Sequence, residues 1–332
     1  SRFPFSVSGT TEIPMSDALL LLSRGSLQQG NAQISVGSGP VDVATISTTI
    51  HYSSTEVFDH LGLCSLKRGR DSGFGIFTPH LSPDRSQVFI DMELILPAKD
   101  HRYALSSLET DLPNFSQRSF GISNVVDVNT ISFKGSNGYI NAEVSAENIN
   151  LKTSNGLVSG IFNATRELTI VTSNDPVHID VGLTSKGSEP THMLLKTSNA
   201  YLKAAISCLS VASSEALYDM TAKTSNGHLS LDLPTMPVGA VMMLDAATTN
   251  QAADVHLNPA FEGSYSLRTS NAHPEVLEDE DVADPTGEGR TRQLVDRGLS
   301  KGICLGQISW DGEEHPSTVS VKTSNARVTL RV

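Results

Sequence analysis

The chain has 332 residues, a formal net charge of -12, 5% aromatic residues and three cysteines. That length supplies material for one large or two ordinary domains, and the acidic balance argues against a general nucleic-acid binder, because phosphate recognition wants a basic field. No run of about 18 apolar residues occurs, so no segment reads as inserting into a membrane as a helix.

The chain starts at Ser1 rather than at methionine, which fits a removed secretion signal or a trimmed terminus. Two glycosylation sequons, Asn114-Phe115-Ser116 and Asn163-Ala164-Thr165, also fit a secreted or cell-surface protein. Cys64, Cys208 and Cys304 lie far apart without metal-ligand spacing and allow at most one disulfide.

Residues 1–130 read as an atypical N-terminal β region, a cap or a sandwich-like domain. Leu21 to Leu27 and Ile34 to Val43 carry faint traces of the unit that dominates the rest of the chain. Longer strand candidates follow at Val41 to Tyr52 and Gln87 to Leu96, joined by the Gly- and Pro-containing segment Arg68 to Pro83.

Residues 131–332 are organised by a phrase, Thr-Ser-Asn-Gly or a variant, centred on Asn137, Asn155, Asn174, Asn199, Asn226, Asn250, Asn271 and Asn325. Successive asparagines are 18, 19, 25, 27, 24, 21 and 54 residues apart, the mark of a repeat architecture. The unequal spacing calls for loops at Thr184 to Thr191 and Ser210 to Tyr218. The longest interval holds an acidic insertion over 275–300, whose run Glu275 to Asp284 reads as a mobile, solvated excursion. No polar cap follows the last strand, Val328 to Val332.

Four residues before each asparagine stand Phe133, Leu151, Ile170, Leu195, Ala222, Ala246, Leu267 and Val321, all apolar. Three before it come Lys134, Lys152, Val171, Lys196, Lys223, Ala247, Arg268 and Lys322, a largely basic column that must face water. Because strand side chains alternate, the phrase's Thr points inward and its Ser outward. Apolar residues then recur three and five places after the asparagine, a parity change that asks for a bend at Asn-Gly, where left-handed backbone is tolerated.

Two architectures use such a bend. Asn-Gly is a hairpin signal. Alternatively the bend is one corner of a β-solenoid or β-helix-like array, with each asparagine amide bonding the next along the axis. Inward Thr and Asn in nearly every copy favour the second, since a buried polar column is tolerable when its members satisfy one another.

The Lys-Thr-Ser-Asn-Gly phrase followed by alternating apolar residues resembles the "putative adhesin" domains of bacteria and their uncharacterised adhesin-like relatives in filamentous fungi. Val41 to Tyr52, Gly75-Ile76-Phe77-Thr78-Pro79 and Asp284-Pro285-Thr286-Gly287-Glu288-Gly289-Arg290 are similar to the fungal group. The resemblance implies a β-solenoid-like fold and a surface role, and it supplies no catalytic residues.

As a candidate site, Lys134, Lys152, Lys196, Lys223, Arg268 and Lys322 offer a line of cations for an acidic polysaccharide, against the plainer reading of an exposed strand face kept soluble by lysine. Glu143, Asp180 and Asp232, with His178 and His256, invite comparison with β-helix polysaccharide hydrolases or lyases. In intervening copies Ile161 and Ala205 take the carboxylate position, so the acids are expected to pair with neighbouring lysines. No metal or cofactor is expected: the histidines show no ligand spacing and no phosphate-cradling Gly loop opens a helix. The sequence therefore points to a non-catalytic structural or adhesive protein. Its expected partners are other copies of itself, joined end to end through the final strand, or cell-wall and extracellular polysaccharide.

Overall fold

The computed structural model describes residues 3–26, 28–40, 42–78, 88–98, 102–211, 215–279, 282–312 and 314–332. Ser1, Leu27, Val41, Pro79, Pro83 and Gln87, which the sequence reading uses as ends of segments, lie outside the described residues. Strand accounts for 63% of the chain and helix for 3%, so the protein is all-β, as its low aromatic and high Ser and Thr content leads one to expect. It divides into two compact units, Ser1–Gly160 and Ile161–Val332. Among the described residues, no helix is long and apolar enough to cross a membrane.

The first unit holds β1 (Phe5–Pro14), β2 (Ala18–Arg24), β3 (Gln28–Gly37), β4 (Val43–Tyr52), a short helix α1 (Thr55–Asp59), β5 (Gly62–Arg68), β6 (Asp71–Phe77), β7 (Val88–Pro97), β8 (Tyr103–Asp111), β9 (Phe115–Ser119), β10 (Val126–Lys134) and β11 (Ile140–Lys152). They form two rows. One runs β1, β4, β7, β3, β9 and the start of β11. The other runs β5, β6, β2, β8, β10 and the end of β11. Pairing is antiparallel in β1–β4, β4–β7 and β5–β6 and parallel elsewhere, so parallel stacking begins with β2 and β3, upstream of residue 131.

β12 (Val158–Val171) runs on into the second unit, which continues with β13 (Val177–Ser185), β14 (Thr191–Lys196), β15 (Leu202–Ser210), β16 (Leu217–Lys223), β17 (Leu229–Thr235), β18 (Val241–Ala247), β19 (Ala253–His256), β20 (Gly263–Arg268), β21 (Pro274–Leu277), β22 (Arg292–Ser300), β23 (Ile303–Trp310), β24 (Thr318–Lys322) and β25 (Val328–Arg331). Strands that precede an asparagine pair in the order β12, β14, β16, β18, β24, β20, and those that follow it in the order β13, β15, β17, β19, β25, β21. All of these pairings are parallel. The strands flanking one Asn therefore pair with their counterparts in neighbouring copies and not with each other, which rules out a hairpin at the phrase.

In the second unit, stack order departs from chain order at one place among the described residues. The last copy, β24 and β25, lies between the copies centred on Asn250 and Asn271. After β19 the chain leaves one strand's width open, lays down β20 and β21, returns through the antiparallel pair β22–β23, and fills the gap with its final strands. This corrects the expectation of a free edge at Val332: β25 is paired along both sides, and the Val332 N–H donates to the Leu277 carbonyl at 2.9 Å.

The core is the pair of columns read from the sequence. Phe133, Leu151, Ile170, Leu195, Ala222, Ala246, Leu267 and Val321 are buried, as are Val177, Leu202, Leu229 and Val328 beyond the bend. Each such side chain stabilises the fold by about 1.5–3 kcal/mol for the larger aliphatics.

At the end of the acidic run, where a mobile excursion was expected, residues 284–290 form a hydrogen-bonded turn. The Asp284 carboxylate accepts backbone N–H bonds from Thr286, Glu288 and Arg290, each at 3.0 Å. Arg290 reaches back to Asp284 at 3.1 Å and to Glu262 at 3.2 Å, with its guanidinium 5.5 Å from the centre of the Trp310 ring. Composition alone concealed this, because the bonds that fix the turn converge on one carboxylate.

Candidate functional site

Asparagine amides bond one another in both units. In the first unit Asn155 donates to Asn137 at 2.8 Å, and Asn137 to Asn114 at 2.7 Å. In the second, Asn199 donates to Asn174 (2.6 Å), Asn226 to Asn199 (2.7 Å), Asn250 to Asn226 (2.6 Å), Asn325 to Asn250 (2.6 Å) and Asn271 to Asn325 (2.7 Å). The direction of these side chains corrects the sequence reading: every one of Asn137, Asn155, Asn174, Asn199, Asn226, Asn250, Asn271 and Asn325 is exposed. The cause lies in the backbone. The N–H groups of Ser225 and Asn226 both donate to the Ser198 carbonyl, at 3.2 and 2.8 Å, and this turn carries the Asn side chain out of the core.

Threonine takes the inward place. Thr153, Thr197, Thr224, Thr248, Thr269 and Thr323 are buried. Each hydroxyl donates to the carbonyl one residue past the asparagine of an adjacent copy, for example Thr224 to Ala200 at 3.0 Å and Thr248 to Gly227 at 2.9 Å. Buried hydroxyls and buried carbonyls thus satisfy one another, as a dry interior requires. The glycines of the phrase serve a different end from the one expected, since none of Gly138, Gly156 and Gly227 has positive φ. A Cβ on Gly227 would lie 1.7 Å from the Ala200 carbonyl oxygen, so close backbone approach selects the residue.

One rung escaped the sequence reading. Asn114, read as a sequon, starts the first ladder: its Oδ1 accepts from Asn137 and its Nδ2 donates to the Gln28 carbonyl at 3.3 Å. Leu112-Pro113-Asn114-Phe115 replaces Thr with Leu and Gly with Phe, and only the spacing from Asn137 could have revealed it. Asn163 is exposed on β12.

The basic column is brought together in part. Lys134 stands beside Lys152 in register, with Asp111 on the other side of Lys134. In the second unit the order is Val171, Lys196, Lys223, Ala247, Lys322, Arg268. Two residues upstream of Ala247, Asp245 bridges the column, 2.8 Å from Lys223 and 3.3 Å from Lys322. Burial pushes the Asp245 carboxyl up, but the bond from Lys223 and the charge of Lys322 outweigh it and hold it below the usual value. Burial pushes the Glu109 carboxyl up, but the Arg68 and Ser107 hydrogen bonds, then the Arg68 charge and the charge of Lys134, hold it below its usual value.

Within the second unit the carboxylates Asp180 and Asp232 are not neighbours. Ala205 separates Asp180 from Asp232 in register, and Glu143 lies in the first unit. Nor does Asp232 pair with lysine as expected. It contacts His256 Nδ1 at 3.0 Å, while His256 Nε2 meets Asp279 at 3.1 Å; the order of the final copies brings Asp279 there. His228 similarly meets Asp254 at 2.7 Å. Beside them Asp254, Thr329, Arg327 and Arg331 line a shallow groove of about 300 Å³. His178 is exposed and lies opposite Lys203.

Among the described residues no group of His, Cys, Asp or Glu is placed to hold a metal ion. None of the three cysteines is in a disulfide. Cys64 is exposed, whereas Cys208 is buried in apolar surroundings that push its thiol up to about 12 and leave it unreactive.

No protein-family profile matches the sequence, and no curated protein is similar enough to count as a relative. Among solved structures, the chain is similar to a "putative adhesin" from Parabacteroides merdae (9% identity, 75% of this chain and 88% of that one, TM-score 0.38). It is also similar to a "putative adhesin" from Parabacteroides distasonis (8% identity, 99% and 97% covered, TM-score 0.35). A "putative cell adhesion protein" from Clostridium sporogenes aligns over 98% of this chain and 99% of its own, at 9% identity and TM-score 0.20. All three TM-scores fall short of a shared fold, so the functional reading rests on the chain's own geometry. These neighbours are bacterial, and the fungal side of the resemblance stays an expectation from sequence.

Proposed function

We propose that the chain is a non-catalytic structural or adhesive protein of the cell surface or extracellular space, and that its paired rows of strands are faces of a β-solenoid. The observation that carries this is the unbroken amide ladder from Asn174 to Asn271, matched inside by threonine hydroxyls on neighbouring carbonyls. Such an array satisfies its interior copy by copy and repeats its outward chemistry at about 4.8 Å, the strand spacing. In this reading the antiparallel strands β1, β4, β5 and β6 are the atypical N-terminal cap. The free edge at Val332 that motivated end-to-end fibres is filled.

The test is retention of labelled protein on cell walls and on a polysaccharide panel, with reducing ends assayed in parallel. Retention without new reducing ends is the expected result. Polysaccharide cleavage that disappears in Asp232→Asn would sink the non-catalytic reading.

A second reading is recognition of an acidic polysaccharide along the cations. The side-by-side placement of Lys134 with Lys152 and of Lys196 with Lys223 favours it. Binding should then weaken with salt and be lost in Lys196→Ala with Lys223→Ala.

A further inference from the structure

Rows of strands end in exposed backbone, and natural sheets blunt such edges with charge, proline, bulges or short length. β5 ends one row of the first unit and carries exposed Lys67 and Arg68. In the second unit β21 has four residues and begins Pro274-Glu275. β22 begins at Arg292 and has a register shift between Asp296 and Gly298.

β1 ends a row with fewer of these devices. It is 10 residues long and pairs with β4 in continuous register from Phe5 to Pro14. Its proline is terminal and its single charge is Glu12. Among the described residues, no backbone bond is seen on its far side. Its apolar face is also left open: Phe5 is 45% and Val7 38% exposed, on the side where Ile13 is buried. Phe5 is stacked 5.4 Å from Tyr52, which stacks 4.8 Å from Phe58.

We propose that β1 is the docking strand of a homodimer, in which two copies join β1 to β1, antiparallel, about a two-fold axis near Ser8. The sequence of the strand is complementary to itself in that orientation. Val7 faces Gly9 and Phe5 faces Thr11, large against small, while Glu12 faces Pro4 and so meets no second Glu12. Each copy covers the other's Phe5 and Val7, and the two-fold uses up both edges, so the contact closes at two chains. This goes beyond the adhesive reading and stands or falls apart from it, since it concerns only the edge of the first unit.

Light scattering of the full chain in solution decides the matter. The expected mass is twice the 35.4 kDa of one chain. Val7→Lys and Thr10→Lys should each return it to one chain that still melts cooperatively, at a temperature no longer dependent on protein concentration. Ser8→Cys in a Cys64→Ser background should cross-link two copies under mild oxidation. A wild-type chain that stays single at high concentration, whether or not it captures another polypeptide on β1, overturns the proposal. So does a dimer that survives both lysine variants. A single chain that still binds polysaccharide would leave the adhesive reading intact.

Discussion

The side-chain amide of Asn325 donates to Oδ1 of Asn250 at 2.6 Å, across 75 residues of sequence. That bond marks the final copy as an insert between two copies made earlier in the chain. Deleting residues 316–332 leaves β18 and β19 facing β20 and β21 across an empty strand's width, with unpaired backbone on both sides. The truncated chain is expected to aggregate and to lose the cooperative thermal transition of the second unit. Unchanged solubility and melting would show that β24 and β25 are dispensable.

Ladder and core threonines should differ in worth. Asn226→Ala removes two exposed amide bonds, from Asn250 and to Asn199, and should cost about 1 kcal/mol. Thr224→Val keeps shape but strips the donor from the buried Ala200 carbonyl, and should cost about 1–3 kcal/mol. Urea denaturation compares them, and an asparagine variant that is the weaker of the two would reverse this ranking.

The columns were legible in the sequence because strand period and a fixed Asn anchor leave little freedom: Leu195, Leu202 and Thr197 are buried as their parity dictates. The direction of Asn199 was not, because two N–H groups converge on the Ser173 carbonyl at the corner and break the parity there. Stack order was equally hidden. Every copy presents the same columns, so nothing local tells β24 to lie beside β18 rather than beyond β20. Asp232 and His256 follow the same logic: their contact comes from register between β17 and β19, while the approach of Asp279 depends on the inserted last copy.

Gly227→Ala tests why the corner prefers glycine. The added Cβ would sit 1.7 Å from a backbone oxygen, which cannot move aside as a side chain would. A loss of about 1–3 kcal/mol is expected from overpacking. The same change at Gly239, with open space around it but φ of 72°, should cost only the backbone strain of a left-handed alanine, about 1–2 kcal/mol. Chemical denaturation of both variants gives the comparison. A neutral Gly227→Ala would mean the corner relaxes freely.

Glycan occupancy should report on the Asn114 rung. Asn114 has its Nδ2 engaged by the Gln28 carbonyl and its Oδ1 by Asn137, so attaching a sugar to that nitrogen breaks the first rung. Made in a glycosylating secretory host, the folded protein should carry no glycan at Asn114. Peptide mass mapping reads this directly, and a glycan on Asn114 in folded protein would contradict the rung.

Acid should open the Asp284 turn before the strands unfold. Burial works to raise the Asp284 carboxyl, but backbone N–H bonds from Arg290 and Thr286, the Thr286 hydroxyl and the Arg290 guanidinium outweigh it and hold it well below the ordinary carboxylate range. With the folded value depressed, the unfolded chain binds more protons in acid. The stabilisation is therefore complete above the unfolded value of about 3.9 and is lost as pH falls from there through the folded value. Trp310, the chain's one tryptophan, reports the event, since its backbone N–H donates to Glu262 and its ring lies under Arg290. Emission should shift to the red in acid while far-UV signal persists. Asp284→Asn should show the shifted emission already at neutral pH, with that acid step gone. Identical acid profiles for wild type and Asp284→Asn would assign the step to another carboxylate.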